Sequence, residues 1–379
     1  MLFSSLPSRS TEVGVFIQPH PMSFGESKLI SAAPAFRKSL LVWFFKNHRP
    51  LPWRKKISAY RTVVSELMCQ QTQIATVIPY FEKWVKKWPD FATLAKAKES
   101  EVLAAWAGLG YYSRARHLWQ LARQVVDQEN SPRTAAEWVK FKGVGPYTAA
   151  AIASISFADP VAVVDGNVVR VLARLTASRH HWQDRSAAVK HFTPLANILI
   201  DSRKPGDFNQ AMMELGALVC RKSSPDCLRC PVAHWCQAKA LGLAESLPQF
   251  APKTSRKVVV HRALILQADK LLIKRYPLSA RRLAGMAEIP LLSDFAMTPP
   301  SSPLLSKRRT IGSVTYEEQI YFIKPDAVIG RISRKNPDFE WVKLSQLPDA
   351  ALTGPHFRWL RDWVNQAGQT KHGKSLSEP

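Results

Sequence analysis

The chain has 379 residues, 46% of them apolar, which suffices for a substantial core and, at roughly 150 residues per domain, for two or three domains. Fifty-three Lys and Arg against 29 Asp and Glu give a formal net charge of +24. Both halves share it, with 32 basic and 18 acidic residues in 1–250 and 21 and 11 in 251–379. A Trp-rich chain this positive throughout is suited to a polyanion, nucleic acid above all; charge alone leaves a merely soluble basic surface as the alternative. The longest apolar runs, such as Leu40–Phe45, fall far short of the roughly 20 residues of a membrane-spanning helix, so no membrane role is expected. The first thirty residues are polar and lack an export signal. Residues 1–33 are expected to be a disordered extension, with Met1 or Met22 as the start. Five cysteines, four of them within 220–236, read as a metal site in a reducing cytosol rather than a disulfide scaffold. The expected location is therefore cytoplasmic.

From Pro34 to about Leu247 apolar residues recur at helical spacing, as in Ile74, Val77, Ile78, Phe81 and Val85, then Val102, Leu103 and Trp106. Pro50, Pro89, Gly108, Pro132, Gly143 and Pro160 punctuate the pattern. A Pro-containing linker follows at 247–256. Beyond it the period changes: Val258–Leu266 and Leu271–Ile273 read as a hairpin around Ala268-Asp269-Lys270, and Gln319–Ile323 and Phe339–Val342 as further strands. Residues 298–306 read as a loop, Pro355–Val364 as a closing helix and 367–379 as a polar tail. The fold class is mainly α, with a C-terminal α+β domain over 257–366.

Several segments carry chemistry. In GVGPYTAA (143–150) Gly143 and Gly145 bracket one apolar residue between two helical stretches. Such a hairpin presents backbone amides to a phosphate at a helix start, with Lys142 beside it. Glu66 lies among Val63, Val64, Leu67 and Met68, surroundings that favour a protonated carboxyl fit for general-acid work; a buried Glu paired with an Arg is the structural alternative. Asp165, before Gly166-Asn167, suits a helix cap as well as a catalytic carboxylate. Cys220, Cys227, Cys230 and Cys236 have the spacing C-x6-C-x2-C-x5-C. Zinc is one occupant for four thiolates, but zinc knuckles are usually paired across a longer interval, and a loop this short suits a [4Fe–4S] cluster. Cys69, outside this set, reads as a small buried residue.

GVGPYTAA together with VVDGNVVRVLAR (163–174), LPWR (51–54), SELMCQQTQ (65–73), GLGYYSRAR (108–116), NQAMMELGALVC (209–220) and the cysteine spacing resemble the helix-hairpin-helix DNA glycosylases of the endonuclease III superfamily, and specifically the adenine DNA glycosylases of the MutY type. The resemblance spans roughly 34–245 and implies a glycosylase domain over 34–246 with an iron–sulfur loop at 220–236. It implies that Glu66 protonates an extruded adenine and that Asp165, with Asn167, stabilises or attacks the sugar cation. Gln71, Leu109 and Tyr111 would enter the duplex, while Leu51, Arg54 and Gln210 would line the adenine pocket. Lys142, Gly143 and Gly145 would hold the DNA backbone. Lyases of the superfamily carry a lysine where this chain has Tyr147, so a monofunctional enzyme is implied. The implied partner is duplex DNA with adenine opposite 8-oxoguanine or guanine, and a monomer is expected. An endonuclease III-like glycosylase/lyase for oxidised pyrimidines and a non-catalytic DNA-binding protein are the alternatives. The C-terminal domain resembles the Nudix-like lesion-recognition module through Leu283-Ala284-Gly285-Met286 and Glu288-Ile289-Pro290. Ala287 stands where a tryptophan is usual, and the loop expected to carry a Phe-Ser-His signature reads Thr315-Tyr316-Glu317. No Nudix hydrolase activity is expected, because Glu317-Glu318 lacks the surrounding acidic box.

Overall fold

The computed structural model describes residues 23–252, 256–280, 283–330 and 338–369. They form two compact units, one made of the chain up to Arg49 with Ala158–Phe250, the other of Pro50–Phe157 with the chain from Ala251 onward.

The first unit is helical: Phe24–Ser31, Ala33–Asn47, Gly166–Leu175, Arg185–Leu199 and Pro205–Leu218. Local chemistry sets their ends. Ser23 and Glu26 form a capping box, Asp165 and Asp184 cap the helices that follow them, and a proline opens Pro205–Leu218. Their apolar faces meet in one core containing Leu29, Phe36, Leu40, Phe44, Leu172, Phe192, Phe208 and Leu215, and Cys220, Cys230 and Cys236 pack against it. The helix Phe24–Ser31 lies in the stretch expected to be disordered; Leu29 is fully buried in this core, and that burial orders a segment whose local composition is unremarkable. Residues 1–22 of the expected extension lie outside the described residues.

The second unit begins with a helical part: Ala59–Cys69, Ile74–Lys87, Glu99–Trp106, Ser113–Val126 and Pro146–Phe157, with shorter turns between. Trp84 packs edge-on to Trp88 and Trp106 at 4.7 and 5.5 Å between ring centroids. Tyr60 accepts from the Trp84 indole and donates to the Trp88 carbonyl, so the polar edges of this aromatic core are satisfied. Pro146–Phe157 is apolar on nearly every side, with Thr148–Ser154 buried. Its small side chains let neighbouring helices approach.

The same unit carries a mixed sheet. Arg256–Gln267 is central, parallel to Val314–Ile323 and turning into Lys270–Arg275 at the register Gln267–Lys270. This is the expected hairpin. Leu305–Ile311 adds antiparallel to Val314–Ile323, and Ala287–Glu288 and Phe339–Lys343 flank Lys270–Arg275. Strand alternation sends Leu264, Ile273 and Ile320 to one face, under the helix Gly354–Gln369. Ala263, Ile265, Leu272 and Tyr321 go to the other, under Leu292, Phe295 and Val328. Two expectations are corrected. Residues 305–311, partly assigned to a loop, form a strand whose run of basic residues, Lys307, Arg308 and Arg309, masks its β pattern. Thr315, Tyr316 and Glu317 lie within a strand, paired with Thr310, Arg309 and Arg308, rather than in a loop; the turn is Gly312-Ser313, where Gly312 has φ +63°. The closing helix runs to Gln369, three residues into the expected tail. Linker residues 253–255 and tail residues 370–379 lie outside the described residues.

Candidate functional site

In the first unit the site is built at the start of Gly166–Leu175. Asp165 is its N-cap, extended at φ −102°, and its carboxylate accepts from the Asn167 and Val168 amides, each at 2.8 Å. Its second oxygen accepts from Asn167 Nδ2 at 3.0 Å. The capping role of this residue is thus seen directly, and the same bonds hold its carboxylate in one orientation. Burial pushes the carboxyl above the ordinary aspartate range, against the pull of these donors and of Arg170. Asn167 Oδ1 accepts from Arg170, which also donates to the Gly216 and Cys220 carbonyls at 2.8 Å. Gly216 is required here, since a Cβ would stand 2.6 Å from Asn167 Cβ. Gln210, on the same helix as Gly216, is buried, with its Nε2 donating to the Gly206 carbonyl at 3.3 Å. One turn on, the buried Glu214 pairs with Arg49.

The four cysteines line a small cavity with Arg174, Val219, Pro225, Asp226, Ala233, Lys239 and Ala244. Arg174 is 1% exposed. It donates to Cys220 Sγ at 3.3 Å and to the carbonyls of Arg221, Lys222 and Leu247, while Cys236 Sγ donates to the Arg174 carbonyl. Burial raises the Cys227 and Cys236 thiols and pushes Cys230 up to about 12. Among the described residues no three His, Cys, Asp or Glu side chains are placed to hold a single metal ion. Arg170 and Arg174 were not singled out in the sequence. The signal was present: two arginines four residues apart, the second set between Ala173 and Leu175 on a helix otherwise apolar at 171–175.

In the second unit Glu66 is half-buried on Ala59–Cys69, with Val63, Val64, Leu67 and Met68 buried around it. Two consecutive turns of apolar residues produce the setting expected from the sequence. Cys69 is half-buried rather than buried, because it lies where this helix ends and the chain turns outward. Gln71 is exposed at φ +56°; Leu109 is buried, and Tyr111 is 53% exposed at φ +49°. Leu51 is buried and Arg54 half-buried at the short turn Pro52–Lys55. In the hairpin, Gly143 adopts φ +87°, and a Cβ there would strike the His117 ring at 2.6 Å, whereas one at Gly145 would meet nothing within 4 Å. The Gly145 side is thus open to a ligand, Lys142 is exposed beside it, and Pro146 starts the helix with half-buried Tyr147 next. A helix start of this kind suits an anion.

Residues 64–194 match the family of HhH-GPD superfamily base excision DNA repair proteins. The chain is 48% identical over 220 residues to the adenine DNA glycosylase of Rattus norvegicus, covering 55% of this chain and 42% of that protein. To the Homo sapiens adenine DNA glycosylase it is 45% identical over 238 residues, 59% of this chain and 43% of that one. It thus spans less than half the length of these two relatives. Against the adenine DNA glycosylase of Mycolicibacterium smegmatis the identity is 37% over 206 residues, covering 54% of this chain and 69% of that protein.

Proposed function

The chain belongs to the adenine DNA glycosylase family, and we propose that it hydrolyses the N-glycosidic bond of adenine opposite 8-oxoguanine or guanine in duplex DNA, after turning the base out of the stack. The observation that carries this reading is Asp165: a carboxylate fixed by two backbone amides and an asparagine amide, yet raised by burial. A poorly hydrated, well-oriented negative charge is what a sugar cation needs as the base leaves. Glu66 supplies the proton to the purine, so that adenine departs neutral, and the emptied carboxylate then takes a proton from the incoming water. The water oxygen bonds to the anomeric carbon once the base has left. Tyr147 offers a hydroxyl and no amine, so no imine with the sugar forms. Leu51 and Arg54 contact the extruded adenine, and Gln210 offers a hydrogen bond to a purine edge; Gln71, Leu109 and Tyr111 enter the duplex; Lys142, Gly143 and Gly145 hold the backbone.

The cysteine cavity fits a [4Fe–4S] group on its own chemistry. Four sulphurs share one pocket with apolar walls, and the buried Arg174 guanidinium, hydrogen-bonded to Cys220 Sγ, is placed for an anionic occupant. Bound there, the group would act as a covalent tie between Cys220, Cys227, Cys230 and Cys236. The C-terminal sheet serves as a Nudix-like module reading the base opposite, with Ser313, Thr315 and Tyr316 as its polar contacts.

Single-turnover assays of the whole protein on duplexes with adenine opposite 8-oxoguanine and opposite guanine test the reading. Abasic sites at the adenine are expected, without prompt strand cleavage. Release of an oxidised pyrimidine instead, or no release from any duplex, would overturn it.

A further inference from the structure

Arg114, the second residue of the helix Ser113–Val126, is 7% exposed and has no acidic partner among the described residues. Its Nη1 donates to the carbonyls of Leu67, at 2.7 Å, Met68, at 3.1 Å, and Gln70. Its Nη2 donates to the carbonyls of Leu109 and Gly110 at 3.2 and 3.1 Å and to Thr72 Oγ1 at 3.3 Å. The guanidinium also lies over the rings of Trp106 and Tyr111, at 5.5 and 5.2 Å. Leu67 and Met68 belong to the last turn of the helix that carries Glu66, where carbonyls lack intrahelical partners and the dipole favours a cation. A helix end thus replaces the missing carboxylate.

The partners fall in two chain segments, 67–72 and 109–111. Each contains a non-glycine residue in the left-handed region, Gln71 at φ +56° and Tyr111 at φ +49°, a conformation that L side chains avoid. In each case the carbonyl of the preceding residue, Gln70 or Gly110, is bound by this one guanidinium. Both strained residues are exposed at their loop tips, and the Tyr111 ring rests on the cation that holds its backbone.

We propose that Arg114 is a positioning residue for base extrusion, locking the loops at 70–72 and 109–111 into one rigid piece so that Gln71 and Tyr111 reach the duplex preorganised. The role rests on the functional reading above, in which those two side chains enter DNA. A lysine cannot replace this fork: one ammonium presents three donors from a single point, whereas the planar guanidinium addresses two segments at once.

The test compares the full-length protein with Arg114→Lys, taking the melting temperature as the check on folding. Affinity for undamaged duplex should stay within about twofold, because phosphate contacts are untouched. Single-turnover adenine release should fall by about 10-fold or more, as expected for misplaced positioning groups, and a 2-aminopurine reporter beside the target should show less extrusion. In a Gln71→Gly background, where the left-handed backbone is no longer strained, the same Arg114→Lys change should cost less. Without DNA, hydrogen exchange at the amides of 70–73 and 108–112 should accelerate at both loops together. Exchange that stays wild-type-like, or accelerates in one loop alone, would overturn the lock. If the wild type releases adenine and Arg114→Lys does so equally fast, the proposal fails while the functional reading stands. If the wild type releases none, that reading fails, and joint loss of protection would still uphold the lock.

Discussion

At the scale of single residues, the proposed chemistry makes Glu66 and Tyr147 directly testable. Glu66 is half-buried among side chains that exclude water, and glutamine keeps its shape while removing the transferable proton. Glu66→Gln should bind the mispaired duplex as the wild type does and lose adenine release by at least about 100-fold, the scale of general-acid catalysis. Wild-type-like single-turnover excision by this variant would remove Glu66 from the reaction. Tyr147 stands second in its helix, beside the open Gly145 turn. An amine there would lie near the sugar, so Tyr147→Lys should gain lyase activity and a borohydride-trappable DNA adduct. A variant that still excises adenine and traps no adduct would contradict the placement.

One scale up, the closing helix Gly354–Gln369 and the sheet beneath it share a buried polar network. Glu318 is fully buried between Arg262 and Arg309, at 2.5 and 2.6 Å. Arg262 also pairs with Glu288, and Arg309 reaches it at 3.5 Å. His356, at the start of the helix, accepts from the Ile289 amide through Nδ1 at 2.9 Å, which fixes its proton on Nε2, 3.7 Å from Glu288 Oε1. Burial, Arg262 and Arg309 hold the imidazole well below its ordinary value. Glu288 pulls the other way but is already engaged by both arginines. An unfolded histidine takes up its proton near pH 6.5, so below that pH the unfolded chain binds more protons than the folded one. The stabilisation is therefore full above about pH 6.5 and declines as the pH falls. Melting curves of wild type and His356→Asn between pH 7.5 and 5 check this. The wild type should lose stability on acidification more steeply than the variant, whose amide oxygen can still accept from Ile289, and parallel slopes would refute the assignment.

At the scale of the whole molecule, the charge and the cysteine loop set the expectations. No helix among the described residues is long and apolar enough to cross a membrane, and a net charge of +24 suits a DNA ligand. Four half-buried cysteines around one cavity, with a buried arginine hydrogen-bonded to a sulphur, should hold about four irons per chain in protein purified anaerobically. Iron analysis and a visible absorption spectrum check this. Stoichiometric zinc without iron would refute it, and Cys227→Ser should lower the iron content.

What the sequence by itself determined is what local chemistry encodes. The 3.6-residue recurrence of apolar side chains located the helices of 34–247, and the Ala268-Asp269-Lys270 turn located the hairpin. Strings of side chains in fixed order, such as SELMCQQTQ and VVDGNVVRVLAR, carried the family resemblance through which Glu66 and Asp165 became candidates, and the cysteine spacing made 220–236 a candidate metal loop. The tertiary structure decided what depends on partners distant in sequence. Phe24–Ser31 becomes part of the fold because Leu29 finds a core made largely of residues 160–220. Leu305–Ile311 becomes a strand because Val314–Ile323 offers it a ladder. Arg174 holds the cysteine loop through carbonyls 47 and 48 residues away, and Arg114 gathers carbonyls up to 47 residues before it. An arginine's letter and spacing carry no record of which backbone oxygens will surround it, since any unpaired carbonyl accepts equally well. That choice is made when the helices pack.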